Sequence, residues 1–160
     1  MKTLSRTKGL GQDLIVTRES TSITLWSGSG NRHTVFDYAA PHLPGLEYAR
    51  NLLAALAFNP HAQSCLVLGL GGGSIPRMLL AARPQMAVEA VEIDPAVVDL
   101  AERYFHIRDL PRFTLHLQDA ATFLEHCTSR YGIILVDTYV GERFPSQCAS
   151  QDFIRNAGKC

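Results

Sequence analysis

The chain has 160 residues, of which 46% are hydrophobic and 19% charged, and fifteen Lys+Arg against fifteen Asp+Glu leave a formal net charge of zero. That length makes one globular domain able to bury about two-thirds of the surface its unfolded chain exposes, and a mean hydropathy of +0.02 excludes disorder and collagen-like repetition. Without net positive charge there is no broad field to attract nucleic acid or an anionic membrane, so neither is an expected partner.

The N-terminal positive charges, Lys2, Arg6 and Lys8, are followed by polar residues, which leaves no continuous apolar region of the kind a secretory signal needs. From Asp13 to Asp37 the chain reads as short extended pieces. Leu14-Ile15-Val16 and Ser22-Ile23-Thr24-Leu25-Trp26 alternate β-formers, and Ser27-Gly28-Ser29-Gly30-Asn31 turns the chain into His33-Thr34-Val35-Phe36, a pattern that predicts a small β-hairpin. Pro41, Pro44 and Gly45 interrupt it. Residues 1–44 are therefore expected to form an N-terminal hairpin region, and residues 45–160 the main domain.

The main domain opens on Leu46, Ala49, Leu52, Leu53, Leu56 and Ala57 at helical spacing, stopped by Asn59-Pro60. Cys65-Leu66-Val67-Leu68 is a continuous apolar run that enters Gly69-Leu70-Gly71-Gly72-Gly73-Ser74, and a helical stretch follows to Pro84. A second strand is expected from Ala87 to Val91. Asp94-Pro95 then opens a helix with a side-chain acceptor at the N-cap and proline at the first helical position, where its missing N–H costs nothing. Phe113 to Leu117 is a third strand, Asp119 caps a short helix through Leu124, and Ile133 to Val136 is a fourth strand ending at Asp137. Strands that alternate with helical patterns predict right-handed crossovers and an α/β fold with a parallel sheet. The longest apolar runs fall far short of the roughly 20 residues that cross a bilayer. Cys65, Cys127, Cys148 and Cys160 form no C-x-x-C pair and the six histidines are dispersed, so no metal is expected and the thiols read as those of a cytoplasmic protein.

In an open α/β sheet a ligand sits outside the carboxyl ends of the strands, and this sequence concentrates its glycines and acids there. Gly69, Gly71, Gly72 and Gly73 either let a ligand approach bare backbone or simply let the following helix pack closely on the sheet. Glu92 stands 21 positions after Gly71, the separation at which an acid reaches both hydroxyls of a ribose. Asp94 is more economically a helix cap. Asp119 is either a cap or an acceptor for an exocyclic amine such as that of adenine. Asp137 ends the strand expected beside the first, so its carboxylate should face the glycine loop.

The run Val67 to Gly73, Val91-Glu92-Ile93-Asp94-Pro95, Gln118-Asp119-Ala120 and Val136-Asp137 together resemble the spermidine synthase family, the polyamine aminopropyltransferases, within the class I S-adenosylmethionine-dependent methyltransferase fold. Tyr48 to Leu53 and Phe58-Asn59-Pro60 look like the helix that precedes the first strand in that family, and Asp137 to Pro145 looks like a divergent spermidine synthase-like branch. The resemblance implies a Rossmann-like sheet ordered 3-2-1-4, with later strands of the family fold missing. It also implies transfer of an aminopropyl group from decarboxylated S-adenosylmethionine to a diamine such as putrescine, in polyamine biosynthesis. In that reading Gly69, Gly71, Gly72, Gly73, Glu92, Asp119 and Ala120 hold the donor nucleoside. Tyr48, Tyr139 and Glu142 face the amine, and Asp137 removes its proton.

The chain departs from the family pattern at Ser74, Val140 and Ala49-Arg50, where the resemblance leads one to expect amine-binding side chains. Arg50 either meets a carboxylate of intact S-adenosylmethionine or is a solvated helix-face residue. The rival readings are methyl transfer from S-adenosylmethionine and a non-catalytic nucleoside-binding remnant. Dinucleotide oxidoreduction is a further one, since Gly69-x-Gly71-x-x-Ser74 fits that fingerprint except at its last position. The apolar fourth strand, left as an edge, predicts a homo-oligomer paired through it.

Overall fold

The computed structural model describes residues 1–140 and 143–160. Its N-terminal part is larger than a hairpin. Strands β1 (Lys2–Gly9), β2 (Gln12–Arg18), β3 (Ser22–Ser27) and β4 (Arg32–Asp37) make a four-stranded antiparallel sheet in sequence order. Strand β1 escapes a reading by periodicity because it is mostly polar and exposed, and its pairing with β2 rather than an apolar face holds it. Leu14, Val16, Ile23 and Leu25 of β2 and β3 are nearly or fully buried, and they share one hydrophobic core with Cys65, Val67, Val88 and Ala90 of the second sheet.

The expected first helix keeps a helical path but changes its winding. Helix α1 (Glu47–Asn51) passes through a 3-10 turn at Leu52–Ala54 into α2 (Ala55–Phe58), which stops before Pro60. Beyond it, β5 (Ser64–Leu68), β6 (Ala87–Glu92), β7 (Phe113–Leu117) and β8 (Ile133–Val136) form a parallel sheet ordered β7-β6-β5-β8, the order 3-2-1-4 that the sequence predicts. Helices α3 (Ser74–Ala82) and α4 (Pro95–Tyr104) contribute Leu79 and Leu100 to the core shared with the N-terminal sheet. On the opposite face, Leu124 of α5 (Ala120–His126) and Phe153 of α6 (Gln151–Ala157) pack with Leu66, Leu68 and Val91. A strand buried on both faces must be apolar throughout, which is why Cys65 to Leu68 reads as an unbroken run.

Asp94 ties the two sheets together. Its Oδ1 accepts from the Ala96 N–H at 2.8 Å as the helix cap, and its Oδ2 accepts from the Leu10 N–H at 2.6 Å in the turn between β1 and β2. The side chain is buried, so both donors would lose a charged partner that water replaces poorly. Asp94→Ala is therefore expected to destabilise the fold by about 2–4 kcal/mol. Chemical denaturation checks this, and a loss below about 0.5 kcal/mol would show that the two sheets are held by apolar packing alone.

Candidate active site

A cleft of about 350 Å³ opens at the carboxyl ends of the parallel strands, with the β1–β2 turn and the start of β4 forming its far wall. The loop after β5 lies at its centre. Gly69 has φ of 102°, and a Cβ there would run into the Asp137 carbonyl, so only glycine lets the β5 and β8 loops approach this closely. Gly71 has φ of 53° and also lines the cleft. Gly72 and Gly73 lie outside the cleft lining. They are buried against Thr34, Phe105 and Ile107, which makes them packing glycines. The Thr34 hydroxyl accepts from the Gly72 N–H at 2.8 Å, so a buried β4 side chain anchors the loop and takes up one of its amides.

Glu92 ends β6 inside the cleft. Its Oε2 accepts from the Leu70 N–H at 3.0 Å, and its Oε1 accepts from the N–H groups of Ile93 at 2.9 Å and Asp94 at 3.0 Å. Burial outweighs these three donors and holds its carboxyl above the ordinary value. The carboxylate expected to face a ribose thus also fastens the glycine loop to the β6 terminus. A carboxylate offers about four acceptor directions, so room for a further donor remains.

Asp119 lines the cleft and is also the cap of α5, its Oδ1 accepting from the Thr122 N–H at 2.9 Å and the Thr122 hydroxyl at 3.2 Å. Ala120, next to it, lines the same wall. The cap reading of Asp119 is realised, and capping with one oxygen leaves the residue at the cleft surface.

Asp137 leaves β8 directly beside Gly69, with its N–H bonded to the Leu68 carbonyl at 2.8 Å. The Tyr48 hydroxyl donates to its Oδ2 at 3.2 Å. Burial pushes the Asp137 carboxyl up to about 6, against the Tyr48 hydrogen bond, which lowers it. The Tyr48 phenol is itself raised by burial and by the neighbouring carboxylate. A half-buried carboxylate near neutrality, held by one phenol and facing a ligand-sized cleft, suits a general base. Tyr139 also lines the cleft, exposed and edge-on to Phe144 with ring centroids 6.1 Å apart. Glu142 lies outside the described residues.

Arg50 does not reach the cleft. Its Nε donates to the Pro44 carbonyl at 2.5 Å, which settles its two readings in favour of a surface residue. Ser74 lines a small side pocket with His33, Tyr48 and Asp137. Sequence reasoning passed over several lining groups. Burial lowers the pKa of His33 from β4, and the Gln12 side-chain oxygen is buried with no protein partner. Gln118, Pro145, Gln147 and Cys148 line the cleft as well. The Gly9-Leu10-Gly11 turn before Gln12 was a visible signal, but a polar residue after a turn ordinarily points to solvent.

Comparison with known proteins shows the family and the fold. The model of the spermine/spermidine synthase domain matches residues 48–160. A polyamine aminopropyltransferase of Vibrio vulnificus is 32% identical over 154 residues, covering 92% of this chain and 52% of the relative. The chain thus spans about half the length of that relative. A spermidine synthase solved with the transition-state analogue AdoDATO superimposes with a TM-score of 0.78 at 15% identity, over 99% of this chain and 54% of the other. Human methyltransferase-like protein 13, solved with SAH, gives 0.61 at 26% identity over 71% and 60%. The Rossmann-like methyltransferase fold is shared with both. By the domain matched over residues 48–160, the chain belongs to the spermine/spermidine synthase family.

Proposed function

We propose that the cleft binds an S-adenosyl sulfonium donor and that the chain transfers the aminopropyl group of decarboxylated S-adenosylmethionine to a diamine such as putrescine. The acceptor nitrogen forms a bond to the carbon attached to sulfur, the sulfur–carbon bond breaks to release a thioether, and Asp137 takes the acceptor's proton. The observation that carries this reading is Asp137 itself, beside the glycine loop, bonded to Tyr48 and poised near neutral pKa. Gly69, Gly71, Glu92, Asp119 and Ala120 support the nucleoside on the adjoining wall. Tyr48 and Tyr139 flank the amine. Methyl transfer from intact S-adenosylmethionine is the second reading, favoured by the uncharged Ser74 in the side pocket beside Asp137 and by the likeness to a methyltransferase solved with SAH. No described helix is long and apolar enough to cross a membrane, and we place the reaction in the cytoplasm.

Calorimetric titration with decarboxylated S-adenosylmethionine, S-adenosylmethionine and NAD in parallel tests the proposal. The aminopropyl donor is expected to bind tightest. Preference for intact S-adenosylmethionine would favour methyl transfer, preference for NAD would favour oxidoreduction, and no binding by any would favour a non-catalytic remnant.

We also propose that copies of this chain associate through β8. That strand pairs with β5 on one side, and among the described residues no strand pairs with its other side. Val136 is exposed there, and an apolar edge with free N–H and C=O groups is a template for pairing. Light scattering is expected to show a mass that rises with concentration, and a monodisperse monomer at micromolar concentration would remove the idea.

A further inference from the structure

The face of the sheet away from the N-terminal strands carries two thiols that the site does not use. Cys127 is the residue that ends α5, half-buried, with its Sγ donating to the Ser129 carbonyl at 3.6 Å. Cys160 is buried beneath the same helix. Its Sγ donates to the Leu124 carbonyl at 3.8 Å and the Asn156 carbonyl at 3.2 Å, and its own carbonyl accepts from the Tyr131 N–H. Cys160 thus meets the chain at Leu124 and at Tyr131, on either side of Cys127, which itself packs against the apolar cluster that contains Cys160. Both are free. Of the other two cysteines, Cys65 lies within β5 in the core shared with the N-terminal sheet, and Cys148 belongs to the same cluster as Cys160 but lines the cleft.

We propose that Cys127 and Cys160 are a peroxide-sensitive dithiol that closes reversibly to an intramolecular disulfide, tying the end of α5 to the end of α6. The more exposed Cys127 reacts first, as its thiolate. Its sulfur forms a bond to one oxygen of hydrogen peroxide, the O–O bond breaks, and the departing hydroxide is protonated to water, leaving a sulfenic acid. The Cys160 sulfur then attacks the Cys127 sulfur. The S–S bond forms, the S–O bond breaks, and the hydroxide released leaves as water with the Cys160 proton. Two thiols are oxidised by two electrons in all, and one peroxide is reduced to two waters. Burial and the neighbouring thiol push the Cys160 group up to about 11, while Arg130 and Lys159 draw it down. Buried and held as the thiol, it reacts second, and loses its proton as it attacks the Cys127 sulfur.

The cross-link would close the loop of residues 127–160, which contains β8, Asp137 and the cleft wall at Pro145 to Cys148. The proposal rests on the seating of Cys160 against Leu124 and Tyr131, around Cys127, and stands whichever ligand the cleft takes. Its test treats the intact chain with hydrogen peroxide, alkylates the remaining thiols and maps the peptides by mass spectrometry. The expected product is monomeric, two hydrogens lighter, with the Cys127 and Cys160 peptides joined and only Cys65 and Cys148 alkylated. A reducing dithiol should restore it, and Cys127→Ser should abolish it. The melting temperature of the oxidised chain should rise by about 5–10 °C, because the disulfide restricts the unfolded state. Four alkylated cysteines after treatment, over-oxidised Cys127 without a cross-link, or a bond to another cysteine or a second chain would each overturn the proposal.

Discussion

Asp137→Asn is expected to slow the proposed aminopropyl transfer by about 10²-fold or more, the usual contribution of a positioned base, while leaving affinity for the proposed nucleoside donor nearly unchanged. The substitution keeps the shape of the side chain and one acceptor oxygen for the Tyr48 hydroxyl, which stands at 3.2 Å in the parent. It removes only the capacity to take a proton. The pH dependence adds a separate signature. With its carboxyl pushed up to about 6, wild-type kcat/KM should fall as pH drops through about 6, and the asparagine variant should lack that limb.

Stability should move the other way. A carboxyl whose pKa is higher in the folded than in the unfolded chain favours folding when protonated, and that advantage is lost as pH rises from its ordinary value of 3.8 to about 6. At pH 7 the wild type bears the cost of a half-buried charge, so the asparagine variant should melt at the same temperature or higher. A strand-end aspartate that merely secured its loop would show the opposite pair, lower stability with little change in rate. Rate measurements with putrescine as acceptor and thermal unfolding of both proteins separate the two, and equal rates would defeat the assignment of Asp137 as the base.

Glu92→Gln is expected to weaken nucleoside binding by about 1.5–3 kcal/mol, on the order of ten- to a hundredfold in Kd. Here the loss has two sources. A carboxamide forms weaker hydrogen bonds with ribose hydroxyls than a carboxylate does. It also has one acceptor oxygen where Glu92 uses two, so its NH₂ must face the N–H of Leu70 or those of Ile93 and Asp94. Two donors face to face would loosen the glycine loop, and the melting temperature should fall with the affinity. Calorimetry and thermal unfolding of the same samples test this. Lower stability with unchanged affinity would make Glu92 a scaffold carboxylate only.

The parallel sheet was legible because each of its strands leaves a local trace. Cys65 to Leu68 is apolar at every position because both faces of β5 are covered, and Asp94-Pro95 and Asp119 announce helix starts that the structure realises as side-chain caps. Strand β1 left no such trace. Its order comes from hydrogen bonds to β2 and from the Leu10 contact with Asp94, 84 positions away, and neither is encoded in the periodicity of residues 2–9.

The same division runs through the site. The sequence by itself determined that the sheet is parallel and which acids end its strands, because strands alternate with helical patterns and a strand end is marked by the residues that stop it, while the sheet order came with the family resemblance. Only the tertiary structure decided what each group does once there. Gly69 meets the Asp137 backbone, whereas Gly72 and Gly73 pack on Thr34, Phe105 and Ile107; Glu92 holds Leu70 as well as facing the cleft; and Gln12 and His33 reach it from a different sheet. Those outcomes depend on contacts between segments tens of residues apart. The burial that raises Asp137 toward neutrality exists only after both sheets have closed around it.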